Sequence, residues 1–350
     1  MKIMRNGPIP LPGKRQVQRQ ALAKAPTAGA SPGLGSPAGG VQLKKSLPVV
    51  LALALAAVAG SPVFAATWYT AESAVGHAVG FTQYRIDIYD PSGGGYVGSS
   101  LLKFPLDNSL LGVKFTGPAG AGWVLRSEAY TRVTLPAGAL QDSDWLEDDG
   151  HDGLDIYSES RLDLTGALLV NVQAVAPPWQ LGAWSLSPLA GLKYESWSFL
   201  ASDVNQVGYG PYAADDTGSV PGPCLDYRVT YRLPYLGAEA ASRRGRWDTE
   251  WSLAFSPLVT ASDVDDHLLR SKRSVGTSSG TGWLASVTAG YRVNETTHVY
   301  GRLEWDTLAT AGTQRQYIYN ADGSVIDLGT VDLSLKSEQL FAGLSVRSVF

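Results

Sequence analysis

From about residue 75 to the end of the chain, apolar and polar positions alternate with a period of two. In Tyr84-Arg85-Ile86-Asp87-Ile88 the even positions are apolar and the odd ones charged, which places Tyr84, Ile86 and Ile88 on one face of an extended strand. The last segment behaves likewise: Leu340, Ala342, Leu344, Val346 and Phe350 share one face and Gly343, Ser345 and Arg347 the other, with Phe341 and Val349 interrupting the polar side. Laid end to end, the pattern predicts ten long amphipathic strands: 75–90, 97–116, 123–136, 153–174, 182–201, 223–241, 247–261, 274–293, 298–311 and 332–350. Short turns (TGPAGAG, PPWQLGA, SRRGR, RVNETTH) alternate with longer polar stretches: DPSGGG, 141–153, 203–223, 262–272 and 312–327. Strands joined alternately by short turns and long loops are the pattern of an all-β, transmembrane antiparallel β-barrel of about ten strands. An even strand count brings both ends of the barrel domain to the same side. Trp123, Trp179, Trp184, Trp247, Tyr291 and Tyr300 fall near strand ends, where aromatic girdles meet the membrane surface.

Composition agrees with this pattern. The 350 residues are 44% hydrophobic, 10% aromatic and 17% charged, too aromatic and too poor in charge for a disordered chain. A helical membrane protein would show several long apolar runs, and only one is conspicuous, near the N-terminus. Cys224 is the single cysteine, which excludes a disulfide scaffold.

That apolar run reads as a secretory signal. Lys44 and Lys45 precede SLPVVLALALAAVAG and then SPVFA, with Val63 and Ala65 at the −3 and −1 positions of a cleavage site. Residues 1–65 therefore form the expected leader, with its signal core at about 41–65, and 66–350 the barrel domain. The segment before Lys44 is rich in Pro, Gly and Ala and has the composition of an unstructured stretch; a start at Val41 would give an ordinary signal peptide. The leader holds eight of the 28 Lys and Arg and none of the 32 Asp and Glu, so the mature part carries a formal charge of −12. Nucleic acid is an unfavourable partner for such a surface, and a cationic ligand a favourable one.

Two segments carry candidate chemistry. Gln141-Asp142-Ser143-Asp144-Trp145 follows the third strand, and Ser262-Asp263-Val264-Asp265-Asp266-His267 follows the seventh. Asp142 and Asp144 are two apart and point the same way in an extended chain, as do Asp263, Asp265 and His267. Turned inward, the two sets would meet across the mouth of a narrow barrel. A carboxylate on one ring nitrogen orients a histidine that takes a proton from water at the other. Two adjacent carboxylates disfavour double ionisation, so one of them can hold a proton. The same residues are also compatible with a metal site or with a solvated acidic loop. His77, His151 and His298 lack comparable neighbours in sequence and read as structural or exposed; His151 lies in the acidic stretch EDDGHD.

The chain resembles the omptin family of bacterial outer-membrane proteases over nearly all of 75–350. The resemblance rests on QDSDW (141–145), LAGLKYESWSF (189–199), YRLPYLG (231–237), SDVDDH (262–267) and the terminal Phe350. It implies a ten-stranded barrel standing above the membrane, with a groove at its external end. Carried over motif by motif, it makes Asp142 and Asp144 the catalytic carboxylate pair and Asp265 with His267 the dyad whose imidazole activates water. Asp263 then falls in a pocket for a basic substrate side chain. Tyr84 stands where the family has a second acidic pocket residue, so cleavage is expected to favour Arg or Lys less strictly.

The expected function is thus an omptin-like aspartyl endopeptidase. It would be a monomer in the bacterial outer membrane, its site facing outward, acting on cationic peptides or proteins. No metal or other cofactor is expected beyond lipopolysaccharide as a possible activator. The competing readings are a non-catalytic barrel serving as an adhesin or structural protein, and a lipid A-modifying barrel enzyme, which would want a Ser/His pair or a calcium site facing the bilayer. A porin is disfavoured, because ten strands enclose a lumen that side chains fill.

Overall fold

The computed structural model describes residues 69–89, 95–146, 153–214 and 216–349. The leader, Phe350 and the stretch 147–152 that contains His151 lie outside them. The strands are β1 (Thr70–Tyr89), β2 (Tyr96–Pro105), β3 (Asn108–Pro118), β4 (Val124–Arg132), β5 (Pro136–Leu146), β6 (Ile156–Val175), β7 (Trp179–Leu181), β8 (Trp184–Gly208), β9 (Gly218–Arg244), β10 (Trp247–His267), β11 (Lys272–Arg292), β12 (Thr297–Tyr319) and β13 (Val325–Val349). β2 and β3 are two halves of one wall strand, as are β4 and β5, and β7 is a short addition to a turn. The wall is therefore a ring of ten antiparallel strands. β1 closes it against β13, in register from Thr70–Val349 to Asp87–Asp332. Closure removes every sheet edge, the condition for crossing lipid with strands.

The outward face divides along the strands. On β10 Trp247, Trp251, Leu253 and Leu258 are exposed, whereas the outward positions after Leu258 are Thr260, Ser262, Val264 and Asp266. β9 changes from the exposed Leu236 to Arg232, Thr230 and Arg228, and β13 from Leu344 and Leu340 to Glu338 and Lys336. The apolar stretch of β10 spans about 28 Å for a strand rising ~3.3 Å per residue with a ~40° tilt, close to the ~25 Å band of an outer-membrane barrel. It defines the bilayer. The strands continue beyond it and form a rim that carries the longer connections.

That extension is where the structure departs from the sequence reading. Segments 141–146, 203–208, 218–222, 262–267, 312–319 and 325–327 were expected in loops and are strand. Their outward face meets water, so polar residues occupy both faces and the alternation that marks a membrane strand fades. Tyr300 also differs. It is 6% exposed and faces the lumen, where its ring lies under the Arg347 guanidinium, 4.2 Å away, and its hydroxyl accepts a hydrogen bond from the same side chain. Trp123, Trp179, Trp184, Trp247 and Tyr291 are exposed at the opposite end from the rim, as an aromatic girdle requires.

A bulge sets the orientation of the rim segment of β10. Its ladder to β11 and β9 shifts register between Phe255 and Thr260, around Pro257. Below it Ala254 and Ser256 face inward; above it Val259, Ala261, Asp263 and Asp265 do. The extra residue switches the inward parity from even to odd. Without it, Asp263, Asp265 and His267 would point outward.

Side chains fill the lumen beneath the rim. Phe104 stacks on Tyr227 at 4.3 Å, and Tyr84 and Phe199 pack around them. Lower down, Lys193 is buried among Glu195 (3.0 Å), Glu304 (2.7 Å) and Asp306. Breaking a buried ion cluster by removing one partner costs about 3–5 kcal/mol. Lys193→Met is expected to lower the temperature at which the folded barrel converts to the unfolded species on a heat-modified gel, and an unchanged transition would contradict this.

Candidate active site at the barrel rim

Six wall segments build the site. On one side β1, β2 and β5 align Tyr84 with Leu102 and Leu102 with Asp142. On the other β10, β11 and β12 align Asp263 with Gly276 and Gly276 with Gln314, and Asp265 with Ser274 and Ser274 with Gln316. The inward side chains of the two walls meet over the aromatic layer.

Asp265 is the hub. It is 1% exposed. Its Oδ2 lies 3.1 Å from Nε2 of His267 and accepts a hydrogen bond from the Tyr84 hydroxyl, which crosses the lumen. Burial alone would raise its pKa, but His267, the Tyr84 hydrogen bond and Lys272 outweigh this and hold it below the usual carboxylate value. The same neighbourhood, burial first and Asp265 second, pushes the Tyr84 phenol far above its normal range. Tyr84 is therefore a permanent donor to Asp265. The family resemblance gave it a place in the substrate pocket; in the structure its hydroxyl is donated to Asp265.

Asp142 and Asp144 sit together on β5. Ser100 on the paired strand β2 donates to Oδ1 of Asp142 at 3.2 Å. Burial, followed by the charge of Asp144, raises the pKa of Asp142 well above normal. Asp144 is raised by burial too, against the opposing charges of Arg270, His267 and Lys272. Held this close and out of water, the two carboxylates disfavour being ionised together. The field of Asp265 is felt at Asp142 and that of His267 at Asp144, so the two sets face one another across the mouth, in the arrangement read from their spacing.

Asp263 lies deeper. Oδ2 accepts a hydrogen bond from Gln314 Nε2 at 3.1 Å, while Oδ1 has no hydrogen-bond partner among the described residues. Burial pushes its carboxyl up to about 7. The intervening Gly276 permits this contact, since a Cβ there would overlap the Asp263 carboxylate. Sequence spacing could not reveal Gln314, 51 residues away, or the partner of Tyr84, 181 residues away; both follow only from strand register. Among the described residues no group of three or more His, Cys, Asp or Glu is placed to hold a metal ion.

A membrane-crossing barrel with an Asp–His pair facing two carboxylates at one rim defines the class of protein. Residues 100–345 match the model of the Omptin family, and the chain belongs to that family. It is 24% identical over 217 residues to Protease 7 of Escherichia coli O157:H7, an alignment covering 58% of this chain and 65% of that protein. It is 22% identical over 229 residues to the plasminogen activator of Yersinia pestis, covering 64% of this chain and 72% of that one. The crystal structure of the outer membrane protease OmpT from Escherichia coli superposes with a TM-score of 0.70 at 17% identity, covering 83% of this chain and 99% of that structure. The barrel is thus an outer-membrane barrel.

The Asp263 carboxyl is expected to lose its proton as pH rises through about 7. Infrared difference spectroscopy should show a protonated-carboxyl band that declines across this range and is missing from Asp263→Asn. A wild-type spectrum without such a component would contradict the assignment.

Proposed function

We propose that the chain is an endopeptidase that hydrolyses peptide bonds with a water molecule activated at the rim, without a covalent intermediate. The observation that carries this reading is the buried Asp265 bound to His267 at 3.1 Å, facing a carboxylate pair that favours holding one proton. His267 takes a proton from the attacking water. Asp265 fixes the imidazole and stabilises the cation that forms. The protonated member of the Asp142–Asp144 pair donates a hydrogen bond to the developing oxyanion, and its ionised partner holds the water. His267 then returns its proton to the leaving amine.

Asp263 supplies the specificity. In its ionised form it receives a cationic side chain, with Oδ1 available for the contact. Because Tyr84 is engaged by Asp265, the pocket holds one acid, and the preference for Arg or Lys is a bias rather than a requirement. The rim faces the exterior of the cell, and the protein works as a monomer on cationic peptides or proteins, with lipopolysaccharide as an activator.

His267→Ala and Asp142→Ala are each expected to lower peptide hydrolysis by ~10²–10⁴ while the barrel keeps its folded mobility on heat-modified gels; near-normal turnover in either variant would reject the mechanism. For Asp263→Asn, a matched peptide series differing only beside the cut should show a loss of kcat/KM of roughly ten- to a hundred-fold for basic sites, with neutral sites little changed. An equal loss for both would place Asp263 in the catalytic machinery or the fold instead.

A further inference from the structure

The lipid-facing wall carries a second constellation with the chemistry of a hydrolase. On β1 His77 faces outward and pairs in register with Ser109 of β3. Its Nε2 lies 2.8 Å from Oδ1 of Asp107 and its Nδ1 3.3 Å from Oγ of Ser109. With Nε2 protonated and bonded to Asp107, Nδ1 is free to accept the serine proton. Sequence spacing gave His77 no companions, because they lie 30 and 32 residues away.

The surroundings make this trio unusual. Val79, Leu111, Val133 and Leu135 stand around it on the outer face, each at least 40% exposed. On β13, which pairs with β1, Ala342 lies at the level of His77 and Leu340 at that of Val79, and the outward face turns charged at Glu338. Asp107 adjoins the Asn108–Ala78 pair, so the trio occupies the rim-side edge of the apolar belt. Ionisable groups in that position are costly and mark function. From Ser109 and His77 a shallow groove of about 630 Å³ runs across the wall. Its floor is Ala289, Gly301 and Ala342, between Val287, Leu303 and Leu344.

We propose that Ser109, His77 and Asp107 form a second hydrolytic centre, which cleaves an ester-linked acyl chain from a membrane lipid lying in this groove. The edge of the apolar belt is where the ester carbonyls of a bilayer lipid sit, and the groove takes the chain below. Ser109 Oγ attacks the carbonyl carbon as its proton passes to Nδ1 of His77, and Asp107 stabilises the imidazolium. The C–O bond to the lipid alcohol breaks, and His77 returns the proton to the departing oxygen. Water then hydrolyses the acyl-serine, giving a free fatty acid and restoring Ser109. Next to the nucleophile the ladder is interrupted at 106–107 and 133–135, and the Thr134 hydroxyl accepts a hydrogen bond from the Ser109 amide at 3.1 Å and donates one to Oδ1 of Asn108 at 3.5 Å, which fixes the backbone beside Ser109.

The test uses the full barrel reconstituted separately in phosphatidylethanolamine vesicles and in lipopolysaccharide, with released fatty acid measured by mass spectrometry. Wild type and His267→Ala should release fatty acid from at least one lipid, and the arm that responds identifies the source. Ser109→Ala and His77→Ala should lower release at least ~100-fold with folded gel mobility unchanged. A fluorophosphonate should label Ser109 in wild type and not in Ser109→Ala. Loss of peptide cleavage in His267→Ala without loss of fatty acid release separates this centre from the rim. No release from either lipid, or release unaltered in Ser109→Ala, would overturn the proposal.

Discussion

The outer end of the barrel is organised by one hydrogen bond that crosses the lumen, from the Tyr84 hydroxyl to Asp265. It ties β1, the strand that closes the ring, to β10, which carries the dyad. An unpartnered carboxylate at 1% exposure would take up a proton. With Tyr84, His267 and Lys272 around it, Asp265 stays ionised and can hold an imidazole in one orientation. The aromatic layer of Phe104, Tyr227 and Phe199 fixes the Tyr84 ring from below. The dyad geometry is therefore a property of the packed lumen as much as of the segment SDVDDH.

Two local devices make that packing possible. The bulge around Pro257 changes the parity of β10, so one strand presents Trp251 and Leu253 to lipid and, further along, Asp263 and Asp265 to the lumen. Gly276 withholds a side chain between Asp263 and Gln314, letting strands β10 and β12 communicate across β11. Neither device adds a reactive group. Both determine where the reactive groups of their neighbours can lie.

These devices also explain what the amino-acid sequence disclosed and what it concealed. The barrel and its strand count were legible, because the bilayer imposes a strict alternation on any strand that crosses it, and the face presented by Tyr84 and Ile86 was legible because the packed lumen buries it while Arg85 and Asp87 lie on the opposite face. The rim strands were concealed, because above the bilayer both faces tolerate polar residues and 141–146 or 312–319 look like loop. The carboxylates and His267 were legible as short motifs, since residues two apart share a side of a strand. The partner of Tyr84 was concealed, since a contact across a lumen depends on register, bulges and closure together. The same reason hid the neighbours of His77.

The central claim is that Tyr84 sets the protonation and geometry of the dyad. It is tested most directly by the pH dependence of kcat/KM for peptide cleavage in Tyr84→Phe, a change that retains the ring and removes the hydroxyl. Losing a hydrogen bond to a charged group should lower the plateau about tenfold or more. It should also move the acid limb to higher pH, because the Tyr84 hydrogen bond is one of the interactions that hold the Asp265 carboxyl below the usual carboxylate value, and losing it lets Asp265 take up a proton sooner as pH falls. A Tyr84→Phe profile that superimposes on wild type in both height and position would contradict the account.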